Sequence, residues 1–171
     1  THISAAIAGL TWMLWEWSNY GKPSVLGIAT GTIAGLAAIT PASGSVGPVG
    51  AIVIGFTAGA TCYWGANRLK RLFGYDDSLD VFGVHGIGGI VGVLLTGAFA
   101  SDALGGSMEN LDIGNQLRLQ AVGIAVTVVY SGVLTFVLVK VVDGMIGIRV
   151  TAEEESTGLD LALHDERGFN L

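Results

Sequence analysis

The sequence predicts an all-α, polytopic transmembrane helix bundle, and three observations carry that prediction. Of the 171 residues 51% are hydrophobic and 13% charged, against roughly a quarter charged in ordinary soluble domains, and the mean hydropathy is +0.63. The charges are segregated, with no Asp, Glu, Lys or Arg from 23 to 67, from 81 to 101 or from 119 to 139. Inside these runs glycines recur at four-residue spacing, which lets helix backbones approach closely where lipid supplies no hydrophobic drive for association.

A hydrocarbon core about 30 Å thick takes roughly 20 apolar helical residues, and each element is read against that length. The opening THISAAIAGLTWMLWEW carries no Asp, Glu, Lys or Arg before Glu16 and closes on three tryptophans, as an interfacial aromatic belt would; it reads as a span over 1–17. Without an initiating Met, a basic n-region or a cleavage site it does not read as a signal peptide, and it is expected to be a span already under way.

The 45-residue run from 23 to 67 is too long for one crossing, since at about 1.5 Å per residue it would rise on the order of 67 Å. TPASGSVGPVG (40–50) interrupts it with Pro41 and Pro48, so it divides into spans over 23–40 and 48–67 joined by a tight turn. The two 21-residue runs each fit one further span, over 81–100 and 119–142. Residues 1–146 are thus expected to form the membrane region and 147–171 a polar tail.

Lys and Arg set the orientation. With five alternating spans, Lys22, Arg68, Lys70, Arg71, Lys140 and Arg149 fall on one side and Arg118 on the other. The positive-inside rule makes the richer side cytoplasmic, with the acidic loop SDALGGSMENLDIGNQ (101–116) outside and the C-terminus in the cytoplasm. The net charge of −6 comes mainly from that loop and the tail, and no nucleic-acid partner is expected. The single Cys62 offers no disulfide or metal framework and reads as a small buried hydrophobe; no cofactor and no metal are expected.

Three features inside the spans bear on function. Gly27, Gly31 and Gly35 form one stripe, Gly55 and Gly59 a second, Gly88 and Gly92 a third, all read as helix-packing faces. Asp76, Asp77 and Asp80 stand before an apolar run, where carboxylates accept orphan helix N–H bonds and complement the dipole; they read as caps ahead of substrate ligands. His85 lies inside DVFGVHGIGGIVG, at membrane depth. An ionisable group there faces a bundle interior or a polar pathway, and neutral imidazole both donates and accepts. Two roles fit it: lining a path for a small polar or proton-carrying species, or tying two helices together.

GKPSVLGIATGTIAGLAAITPASGSVGPVGAIVIGFTAGATCYWG followed by RLKRLFGYDDSLDVFGVHGIGGIVGVLLTGAFA resembles the ammonium transporter (Amt/Mep/Rh) family almost continuously. DVFGVHGIGGIVG and ITPASG are its most specific pieces, and the tail GIRVTAEEESTGLDLALHDERGFN is similar to the family's cytoplasmic region, with its GLD and H-x-E elements. The resemblance implies the second half of an inverted-repeat fold, about the last five of eleven spans, in a homotrimer whose subunits each hold a narrow hydrophobic pore. It implies that His85 is the second of a pore-lining histidine pair, that Asp77 is a carboxylate at the cytoplasmic end of the same helix, and that Thr40 stands near the outer part of the pore.

His2, in HISAAIAGL, superficially resembles the first histidine of that pair but stands one span too close to the GKP loop, so it is assigned to packing or a helix end. The implied substrate is ammonium, ammonia or methylammonium, carried rather than chemically transformed, across a cell (inner) membrane. The implied partners are the remaining N-terminal half, membrane lipid and a PII-type signalling protein at the tail. An ammonium sensor signalling through its tail and a non-conducting regulatory subunit are the rival functions.

Overall fold

In the computed structural model, residues 1–167 are described, and among them every regular element is helical. The predicted tail runs on to Leu171, so its last four positions, 168–171, lie outside the described residues. Thr1–Val126 form one compact unit and the chain from Thr127 onward a second.

The first unit opens with α1 (His2–Tyr20), which stops at Gly21, whose φ of 75° closes the helix with an N–H bond to the Trp17 carbonyl. Helix α2 (Val25–Ile39) starts at Ser24, whose hydroxyl accepts from the Gly27 N–H at 2.8 Å, and it ends at the residue before Thr40-Pro41, where proline disfavours a continued helix. Helix α3 (Pro48–Trp64) begins on Pro48, a residue with no N–H to leave unpaired. It continues through a π-helical turn (Gly65–Leu69) into the short α4 (Lys70–Phe73). After a loop come a second π-helical turn (Phe82–Gly86) and α5 (Ile87–Phe99). The long α6 (Ile113–Ile146) belongs to both units.

By length and composition Pro48–Phe73, Phe82–Phe99 and Ile113–Ile146 can each cross a membrane, while α2, at 15 residues, is a shorter apolar helix. Two of these rods overrun the charge-free stretches. The α3–α4 rod continues past Arg68 to Phe73, and α6 begins before Arg118. A charged side chain marks where the surroundings turn polar, and long Lys and Arg stems reach that layer while the backbone ladder carries on.

Glycines decide how the first unit packs. A methyl group on Gly31 would press on Trp12 and stand 3.0 Å from the Ala8 carbonyl, and one on Gly35 would lie 2.5 Å from the Ser4 carbonyl; α1 and α2 therefore run antiparallel in near-backbone contact. A methyl group on Gly59 would stand 2.7 Å from the Ala8 carbonyl and one on Gly55 2.5 Å from the Ser4 carbonyl, which sets α3 parallel to α1. The buried Ser4 hydroxyl donates to the Gly35 carbonyl at 3.0 Å. A methyl group on Gly88 would stand 3.7 Å from the Ala37 methyl and one on Gly92 would press on the Ala38 carbonyl, so α5 runs parallel to α2. Gly27 meets the Glu16 carboxylate, which accepts from the Ser24 N–H at 2.8 Å.

In the second unit, Thr151 and Glu154 form a reciprocal capping box at the start of α7 (Ala152–Thr157), and Arg149 pairs with Glu155 at 3.1 Å. Gly158, with φ 96°, makes the bend into α8 (Leu159–His164), a conformation open to glycine and strained for other residues.

Candidate functional site

His85 sits where its helix departs from regularity. The turn Phe82–Gly86 is π-helical, an arrangement found mostly as single turns and often at functional positions. Local sequence begins that turn. Asp77 Oδ1 accepts from the Val81 N–H at 2.8 Å and Oδ2 from the Phe82 N–H at 2.9 Å, so one carboxylate satisfies two orphan donors and places negative charge at the positive end of the helix dipole.

Asp80 acts differently from Asp77. Its backbone is left-handed, with φ 54°, a conformation aspartate tolerates, and its carboxylate pairs with the Lys70 ammonium instead of capping N–H groups. Lys70 also donates to the Asp77 carbonyl at 3.0 Å, so the start of the His85 helix is tied to α4. Asp76 accepts from the Ser78 hydroxyl at 3.5 Å.

The π turn Gly65–Leu69 packs against the turn carrying His85. A methyl group on Gly83 would stand 2.8 Å from the Ala66 nitrogen, and one on Gly65 would lie 3.3 Å from the Gly83 carbonyl. Next to this crossing the Cys62 thiol donates to the Val84 carbonyl at 3.5 Å. Trp12, Ala34, Cys62, Tyr63, Ala66 and Val84 form the buried cluster behind it, with Trp12 edge-on to Tyr63 at a centroid distance of 5.3 Å. His85, one residue beyond buried Val84, is exposed and has no hydrogen-bond partner among the described residues.

The structure does not bring the other candidate residues to His85. Thr40 caps the end of α2 and its hydroxyl donates to the Leu36 carbonyl at 2.7 Å. Because Gly92 faces Ala38 on the parallel α2, Thr40 lies roughly nine residues, or about 13 Å, further along the helix axis than His85. His2 opens α1, about ten residues or roughly 15 Å along that helix from Trp12, which marks the depth of the His85 turn. His85 and Thr40 therefore occupy two depths on neighbouring helices.

Two contacts at this site go beyond the sequence reading. The Cys62–Val84 bond lies on an extension of the Gly55/Gly59 stripe, which reaches Cys62 and Ala66 after one and two further turns. The Lys70–Asp80 pair joins the basic cluster ending α4 to the aspartates that follow, a charge alternation visible in RLKRLFGYDDSLD. No group of His, Cys, Asp and Glu able to hold a metal ion occurs among the described residues.

The Ammonium Transporter Family pattern matches residues 1–169. An ammonium transporter of Aquifex aeolicus is 46% identical over the whole of this chain, which spans 40% of that protein. A crystal structure of Saccharomyces cerevisiae Mep2 superimposes with a TM-score of 0.78 at 33% identity, covering 89% of this chain and 36% of the other. A structure named Sensor Amt Protein superimposes with a TM-score of 0.84 at 30% identity, covering 94% and 40%. The chain spans about two-fifths of the length of the curated relatives it matches.

Proposed function

The chain belongs to the ammonium transporter family, and on that premise we propose that it supplies part of a pore carrying ammonium, or ammonia derived from it, across the cell membrane. One observation carries this reading: His85 stands on a distorted turn at the start of a helix long and apolar enough to cross a membrane, held from behind by buried packing, with its imidazole exposed and unpartnered among the described residues. A histidine that merely tied these helices together would spend its ring nitrogens on them.

The chemistry follows from solvation. An apolar passage charges a cation a large desolvation penalty and a small neutral amine far less, so ammonium gives up its proton near the entrance and ammonia crosses. His85 offers that molecule a hydrogen bond without a fixed charge, and a second histidine from the rest of the polypeptide completes the lining. Thr40 lines the outer part of the path. Asp77 and Asp80 hold the cytoplasmic end of the His85 helix, and the stripes of Gly27, Gly31, Gly35, Gly88 and Gly92 keep the wall close-packed. The assembled protein is a homotrimer with its C-terminus in the cytoplasm, where the tail meets a PII-type signalling protein.

The test is methylammonium uptake by an uptake-deficient microbial strain expressing the intact polypeptide. Accumulation above the empty-vector control supports the reading, and none from a correctly inserted, assembled protein refutes it. A sensor role is the second reading, favoured by the superposition on the structure named Sensor Amt Protein. A variant that still elicits an ammonium-dependent cellular response after uptake is lost separates the two.

A further inference from the structure

Lys70 has no part in the transport chemistry above, yet two of its contacts converge on the start of the His85 helix. Its carbonyl closes α4 by accepting from the Gly74 N–H at 2.9 Å, and Gly74, at φ 63°, turns the chain away. The Lys70 side chain then receives the loop that its backbone has released. The ammonium pairs with the Asp80 carboxylate and donates to the Asp77 carbonyl at 3.0 Å, and both side chains of the pair are less than a third exposed. An ion pair sheltered in this way keeps more of its attraction than one in open solvent, where screening and side-chain entropy offset it.

From Asp80 the connection to His85 runs through the backbone. The Asp80 N–H donates to the Asp77 carbonyl at 3.2 Å, and the Asp80 carbonyl accepts from the Val84 N–H at 2.9 Å, one residue before His85. Lys70 therefore grips, by its carboxylate, the residue whose carbonyl fixes the turn. Past the turn the helix has a second anchor: a methyl group on Gly92 would press on the Ala38 backbone of α2, and the Cys62 thiol donates to the Val84 carbonyl. Between the two anchors the chain carries one residue more than an α-helical turn takes up, stored as the π turn Phe82–Gly86. The Phe82 ring closes that turn, edge-on to Tyr75 at a centroid distance of 5.9 Å and filling the space that a methyl group on Gly86 would need.

We infer that Lys70 is a positioning residue for His85: by holding Asp80 it fixes the start of the helix, keeps the extra residue in the π turn and so sets the place of the imidazole. Released from Lys70, the turn rewinds toward a regular α-helix, the surplus residue passes into the loop at 74–80, and His85 shifts against the helices behind it. The consequence for transport rests on the function proposed above; the positioning does not.

The intact protein, isotope-labelled at histidine and purified in detergent, is read by NMR at the imidazole nitrogens, with the His85 signals assigned by their loss in His85→Leu. Lys70→Met keeps the apolar stem and removes the ammonium. It should move the His85 signals and leave those of His2 and His164 in place. Lys70→Arg, which restores the charge and the donors, should return the His85 signals toward their wild-type positions. Arg71→Gln removes a neighbouring charge that has no carboxylate partner among the described residues, and it should move none of them. Should Lys70→Met fail to assemble, Asp80→Asn is read in its place, since it weakens the pair while asparagine tolerates the left-handed backbone.

His85 signals that stay in place, that move no further than with Arg71→Gln, or that move together with those of His2 and His164 overturn the proposal. Methylammonium uptake per assembled protein is the second readout. Lys70→Met should change it by up to about tenfold, the worth of one hydrogen bond, and should add nothing in a His85→Leu background, because a residue that acts through His85 has nothing left to act on. An added loss there overturns the proposal. A wild type that carries no methylammonium refutes the transport reading, while the ring signals still decide this one.

Discussion

The thiol of Cys62 reaches the carbonyl of Val84 at 3.5 Å, tying α3 to the backbone immediately before His85. A widened turn leaves its carbonyls poorly matched to the regular ladder, and a donor from the neighbouring helix steadies one of them. Cys62→Ser should keep the donor and most of the wild-type uptake. Cys62→Val should disturb the position of His85 and shift the pH profile of uptake while assembly survives. Identical pH profiles for the two variants would remove the positioning role.

His85→Leu keeps bulk and removes the ring nitrogens. One hydrogen bond to a neutral molecule contributes roughly 0.5–1.5 kcal/mol, so methylammonium uptake should change by up to about tenfold while the protein remains folded and assembled. Wild-type uptake at several pH values would count against the pore assignment, and loss of assembly would instead favour a structural tie.

Gly92→Val places new carbons against the Ala38 backbone, where the structure has no room for them. Overpacking of this kind costs roughly 1–3 kcal/mol, and a lowered thermal midpoint of the detergent-solubilised protein should register it. Gly89→Ala, where an added carbon meets no described atom within 4 Å, is the control and should leave the midpoint unchanged or slightly raised.

Asp77 caps the His85 helix with both oxygens. Asp77→Ala should cost about 1 kcal/mol, and Asp77→Asn, which still accepts a hydrogen bond, clearly less. Amide exchange at Val81 and Phe82 measures this directly: faster exchange in the Ala variant than in the Asn variant is expected, and equal exchange contradicts the capping role.

In the tail, the Thr151 backbone N–H and hydroxyl both donate to Glu154 and hold its carboxyl below the usual glutamate range. A depressed carboxylate stabilises the folded form above its ordinary pKa, and that contribution is lost as the pH falls through the depressed value. Amide protection at the start of α7 should therefore fall on acidification, and Thr151→Ala should lower it several-fold already at neutral pH. Protection that is flat through the acid range would contradict the capping box.

How much of this was legible beforehand depends on the kind of information involved. Segregated charge, high hydropathy and a four-residue glycine rhythm are properties of the chain itself, because lipid demands internally hydrogen-bonded apolar segments wherever they pack. They were enough for the all-α membrane class, and DVFGVHGIGGIVG with ITPASG was enough for the family. Gly31 and Gly59 likewise advertised close approach, since a missing Cβ is useful only where something fills the space.

What those glycines approach was decided by the tertiary structure. Trp12 against Gly31, the Ala8 carbonyl against Gly59 and Ala38 against Gly92 depend on which helices become neighbours and in which direction they run, and a stripe carries no address for its partner. The two π turns were equally hidden, because one extra residue in a turn leaves hydrophobic periodicity almost unchanged over so short a stretch. Their crossing at Gly65 and Gly83 brings Cys62 to Val84, one residue before His85. Asp80 turned from expected cap to ion-pair partner for the same reason: Lys70 is ten residues away in the chain, and only the fold returns it to the start of the helix.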